Sequence, residues 1–267
     1  MILILRGSII VISGFLFIFL PGTLISLVTR RSLHFSSNLL MWGMGVMVMA
    51  LIPALFLTSV LRVLILGNRV VGMSQLLLFA LLGSLISALF LEGGKFLFLR
   101  WRKISTELLL GSGIMLGFGT GLLINVFQGI SMVGAGLRLT FGDTAQPELA
   151  KMASQPWVNL LTSLLALNAY RIALVAISAM LGGLVARVLI TRQQRWLWLA
   201  VLINTAAAWA YTGIGLVLGN DSLTGNLAAI LLEGLLAALA IRVLFHLVPP
   251  GPAAPDTGKL QKKIQKR

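Results

Sequence analysis

The sequence predicts an all-α fold, a polytopic membrane helix bundle of about seven transmembrane helices, and three observations carry that expectation. Only 10% of the 267 residues are charged, against about 25% in soluble domains. Hydrophobic residues make up 58% of the chain, and mean hydropathy is +0.99. Apolar windows of about 20 residues, long enough to cross a hydrocarbon core, recur from end to end, with the cations gathered mostly between them. Residues 1–248 read as one transmembrane helical domain and 249–267 as a basic cytoplasmic tail.

The first span runs from about Gly7 to Val28, with Pro21-Gly22 marking a kink and Arg30-Arg31 the stop. The opening MILILRG carries one charge and no A-x-A pattern follows, so it is read as retained. Span two covers about Asn38 to Leu61, kinked at Pro53, and ends in a turn at Gly67-Asn68-Arg69. Its methionines (Met41, Met44, Met47, Met49) suit adaptable packing rather than copper binding. Span three begins near Val70 and continues to Leu99, about 30 residues or roughly 45 Å of helix, so it must tilt or protrude.

Arg100, Trp101, Arg102 and Lys103 separate span three from span four, Thr106 to Phe127. Span four is rich in glycine, and Gly117, Gly119 and Gly121 let a neighbouring backbone come close. A long loop is expected from Gln128 to Trp157, with PELAKMA forming a short interfacial helix inside it. Span five follows over Leu160–Ile190 and carries Arg171. Span six covers Trp196–Leu218, with Trp196 and Trp198 as an aromatic belt, and span seven covers Asn226–Leu247 and contains Glu233.

The net charge is +14. In a soluble protein that balance suggests nucleic acid. Here the positive-inside rule and anionic headgroups account for it, so the expected partners are the lipid bilayer and other membrane subunits or helices, not nucleic acid. Cations collect at Arg30, Arg31, Arg100, Arg102, Lys103, Arg187, Arg192, Arg195, Arg242 and the tail, while Arg6, Arg62, Arg69, Arg138 and Lys151 fall on the other side. That bias predicts a multi-pass protein of the inner (cytoplasmic) membrane, N-terminus outside and C-terminus cytoplasmic. Cysteine is absent, which excludes disulfides and thiolate metal sites.

An ionisable side chain within a membrane helix is a functional-site hypothesis by default. Glu92 and Lys95 stand at i, i+3, on one face, and can pair. As chemistry, Glu92 would be a buried acid poised to activate water; as structure, the pair would fix helix packing. Arg171 and Glu233 form a second possible opposite-charge pair. His34 and His246 sit near the interface without partners at i+4, so neither suits a metal. No G-x-S-x-G and no P-loop is present.

The run Leu91-Glu92-Gly93-Gly94-Lys95, continuing to Arg100, resembles the E-E-x-x-R segment of the YhfC-like intramembrane metalloproteases, in the wider group of PrsW and CAAX-protease-like membrane proteins. Pro21 with Arg30-Arg31 matches that family's first helix and loop, Met115–Gly121 resembles its glycine-rich second motif, Tyr170-Arg171 its E-R motif, and Leu202-Ile203-Asn204 its last polar motif. The resemblance implies a metal-dependent membrane endopeptidase with Glu92 as its catalytic residue. This chain departs from the pattern at Leu91, Lys95, Thr120, Ile124, Tyr170, Ser178, Asn204 and Ala208, where glutamate, arginine, histidine or aspartate is expected. The resulting expectation is a catalytically inactive member without metal or cofactor, serving as a binding, scaffold or accessory subunit. Two alternatives stand: an active protease using Glu92 with Asn125, Asn204 or Glu233, and a transporter component for small molecules or lipids.

Overall fold

The computed structural model describes residues 1–29, 37–67, 71–219 and 222–247. Within them it contains α1 (Ile2–Thr29), α2 (Ser37–Ile65), α3 (Met73–Trp101), α4 (Thr106–Thr140), α5 (Pro147–Ser154), α6 (Trp157–Thr191), α7 (Arg195–Ile214) and α8 (Leu223–Leu247), and no strand. Seven of these helices are long and apolar enough to cross a membrane, so the chain is a polytopic membrane helix bundle. The features read at Arg30, Arg31, His34, Asn68, Arg69 and the basic tail lie outside the described residues.

Helices α4 and α6 form the centre, flanked by α1, α2 and α8, while α3 and α7 pack together on one side. Glycine makes the centre possible. A Cβ on Gly113, Gly117 or Gly121 would collide with α6 backbone at Gly182, Ser178 and Val175 respectively. The same helix turns Gly119 onto Leu40 and Gly43 of α2, and Gly129 and Gly136 onto Gly14 and Gly7 of α1. Small residues spaced four or seven apart thus bring three neighbours into backbone contact with one helix, where apolar attraction between helices is weak and close packing must supply the association.

This packing corrects the boundary expected at Phe127. Helix α4 continues to Thr140, and only Phe141–Gln146 separates it from α5. Gly129, Gly134 and Gly136 look like loop residues in the sequence. Two of the three are instead the seats for α1, and tertiary contact overrides weak helix propensity. The short helix expected at PELAKMA is present as α5. The backbone is helical through both Pro21 and Pro53.

Polar contacts fix the end of the bundle where α1 begins. The Arg6 Nη1 donates to the Met152 and Gln155 carbonyls at 2.8 and 2.7 Å, and the guanidinium lies 4.6 Å from the Trp157 ring centroid. A cation there meets the negative end of α5. In the turn that precedes α5, Asp143 accepts from the Arg138 Nε at 2.7 Å and from the Ala145 N–H at 3.1 Å. The Ala145 N–H, then the Arg138 guanidinium, hold this carboxyl below its usual range.

Gly117→Ala should lower thermal stability in detergent by about 1–3 kcal/mol, the usual cost of overpacking. Gly134→Ala, with nothing within 4 Å of the added methyl, should leave stability unchanged or raise it; melting curves of the two variants decide. Because the Asp143 shift is downward, its stabilisation is present above the unfolded pKa and is lost as pH falls through the folded value. Proteolytic nicking of the Phe141–Gln146 turn should stay constant from neutral pH downward and rise only below about pH 4. Asp143→Asn should show the faster nicking already at neutral pH.

Candidate functional site

Helix α3 presents two faces. One carries Ala88, Glu92, Lys95 and Leu99 into the protein, all buried. The other carries Gly93 and Leu97 towards α2 and the surrounding bilayer. Spacings of three and four residues along a 3.6-residue period put both ionisable groups on the inner face.

Glu92 and Lys95 are both fully buried and paired: the ammonium donates to Oε1 at 2.9 Å and to Oε2 at 3.1 Å. A third group completes the arrangement. The Asn204 amide on α7 donates to Glu92 Oε1 at 2.8 Å. One turn further along α7, the Trp209 Nε1 donates to the Leu77 carbonyl of α3 at 3.2 Å. The pair expected from the i, i+3 spacing therefore exists, and it also ties α3 to α7. Both carboxylate oxygens are engaged by donors.

The other predicted residues lie in a second cluster along α4, α6 and α8. Asn125 is fully buried and donates to the Arg171 backbone carbonyl at 3.2 Å. The Arg171 guanidinium covers the Tyr170 ring at 4.8 Å, and Tyr170 stacks on Tyr211 of α7 with centroids 3.9 Å apart. Glu233 is buried on α8. The Arg171–Glu233 ion pair considered from the sequence does not form: among the described residues the salt bridges are Glu92–Lys95 and Arg138–Asp143. Arginine is instead taken up by an aromatic face, an alternative partner for a guanidinium. Asn125 Oδ1, Arg171 Nε and Glu233 Oε1 are buried without a hydrogen-bond partner.

Beside this cluster is a chamber of about 240 Å³ between α6, α7 and α8. Ser163, Tyr211 and Asn226 give it polar walls, and Gly215, Gly219 and Gly225 give it room. Gly215–Gly219 is a single π-helical stretch following α7. Such irregular turns concentrate at functional positions in helical proteins. A Cβ on Gly225 would collide with the Gly219 carbonyl, so α8 starts directly against the π turn.

The donor set does not fit the metal that the family resemblance implies. Thr120 spends its hydroxyl on the Gly117 carbonyl at 2.7 Å, and Asn204 turns an amide N–H towards Glu92. Glu92 itself faces an ammonium, and Ala208 has no donor atom in its side chain. His246 lies exposed at the end of α8, and among the described residues no three His, Cys, Asp or Glu side chains gather into a metal-holding group.

Several interhelical clasps were not singled out from the sequence. Asn168 on α6 donates to Ser13 of α1 at 2.7 Å, and Asn226 on α8 donates to Ser163 of α6 at 2.9 Å. Tyr211 and Trp209 also belong to the polar framework. A lone Asn within an apolar run is the signal that could have found the first two, because a buried amide in lipid needs a partner on another helix.

Asn204→Leu should cost about 0.6 kcal/mol, and no more than ~1.7, the range for interhelical hydrogen bonds in membranes. Asn204→Asp should cost more, because it sets a second carboxylate against Glu92; thermal unfolding in one detergent orders the two. Against known proteins, no family model, no curated protein and no solved structure matches this chain.

Proposed function

We propose that this protein is a non-catalytic member of the YhfC-like intramembrane metalloprotease group, working in the plasma membrane as a binding or accessory subunit. The observation that supports the reading is the state of Glu92. Its carboxylate is fully buried, neutralised by Lys95 and bonded to Asn204. A general base needs a free oxygen near the proton it takes, and a metal ligand needs a free lone pair with further donors around it. Here the same atoms hold α3 to α7. The orientation proposed is N-terminus outside and C-terminus cytoplasmic. Supporting it, Arg100, Arg102, Lys103, Arg187, Arg192, Arg195 and Arg242 belong to one set of helix ends, and Arg6, Arg62, Arg138 and Lys151 to the other.

A second reading, a membrane component that binds a small polar molecule, is favoured by the α6–α7–α8 chamber. Its polar walls, the π-helical turn at its edge and the unpartnered Glu233 Oε1 nearby are features that packing alone does not require.

The two roles of Glu92 separate by experiment. Lys95→Met alone leaves a buried carboxylate uncompensated and should lower stability by about 3–5 kcal/mol. The double variant Glu92→Leu with Lys95→Met should recover most of that loss, because an apolar pair of similar volume can replace a buried ion pair. Melting temperatures of the purified variants test this. A Glu92→Gln protein that assembles normally but abolishes cleavage of a membrane substrate would make the chain an enzyme.

A further inference from the structure

We propose that the groove between α2 and α3 is a binding site for one anionic phospholipid, its acyl chain lying in the groove and its phosphate against Arg102. The groove has a volume of about 500 Å³ and is lined by Trp42, Gly45 and Met49 from α2 and by Phe90, Gly93 and Leu97 from α3. Gly45 and Gly93 leave open space where a side chain would stand, with nothing within 4 Å of a Cβ built on either. The walls are almost wholly apolar, as an acyl chain requires.

Charge picks the headgroup. The Arg102 guanidinium lies 5.1 Å from the Trp42 ring centroid and 5.9 Å from that of Phe98, and both rings line the groove. Arg102 is exposed, and Arg100 and Lys103 stand exposed beside it. A guanidinium at the mouth of an apolar slot, flanked by two more cations, complements a phosphate attached to a hydrocarbon chain. Tryptophan at the same level suits the headgroup boundary, and Trp101 is 69% exposed there.

The test uses the full-length protein, with phosphatidylglycerol and phosphatidylcholine of identical acyl chains as probes, read by native mass spectrometry and by lipid-dependent melting temperature. Phosphatidylglycerol should be retained in preference to phosphatidylcholine. Arg102→Gln should weaken phosphatidylglycerol about fivefold, the ratio corresponding to ~1 kcal/mol for one basic side chain, and leave phosphatidylcholine unchanged. Gly45→Leu with Gly93→Leu fills the slot from two open positions and should reduce retention of both lipids while the protein still folds. Equal retention of the two lipids, a preference that survives Arg102→Gln, or retention that survives the filled groove would each overturn the proposal. So would a second polypeptide found crosslinked to a probe at Gly93 in lipid-replete membranes.

Discussion

Everything in this bundle depends on how closely α4 can approach its neighbours. A membrane helix gains little by turning apolar side chains towards other helices, since lipid is equally apolar. Association must come from close packing, and glycine shortens the distance over which packing acts. Gly113, Gly117 and Gly121 do this towards α6, Gly119 towards α2, and Gly129 and Gly136 towards α1. Once α4 and α6 are locked together, α8 packs on the far side of α6 and the inner core closes around Leu116, Phe118 and Leu181.

Helices α3 and α7 are held by a different kind of contact. They expose much of their surface to the bilayer and make few backbone approaches. Their link is polar: Glu92, Lys95 and Asn204 at one level, Trp209 and Leu77 at another. Burying an ion pair is costly, and in water an apolar replacement is often as stable. Between two lipid-facing helices the same pair has a positional advantage, because slippage by one residue would leave a charge facing hydrocarbon. The pair therefore fixes register as well as contact.

Much of this was legible in the sequence. Apolar windows gave all seven spans, and the i, i+3 spacing of Glu92 and Lys95 gave their pairing. The glycines of α4 up to Gly121 were readable as contact points. The later ones were not, because Gly129 and Gly136 serve α1 from a stretch whose polarity and glycine content look like a loop. Asn204 stood among three candidate partners of Glu92, with Asn125 and Glu233, but which of them reaches it was hidden, because spacing within one helix says nothing about contact between helices. The same limit applies to Arg171 and Glu233, where opposite charge suggested a pair and Tyr170 took the guanidinium instead.

The two groups of buried ionisable side chains differ in how far they are hydrogen-bonded. At α3–α7 both oxygens of the buried carboxylate have donors, as buried polar groups generally do. Along α4, α6 and α8, Asn125 Oδ1, Arg171 Nε and Glu233 Oε1 do not. A carboxylate whose donors come from two helices fixes those helices to each other, so Glu92 with Lys95 and Asn204 ties α3 to α7.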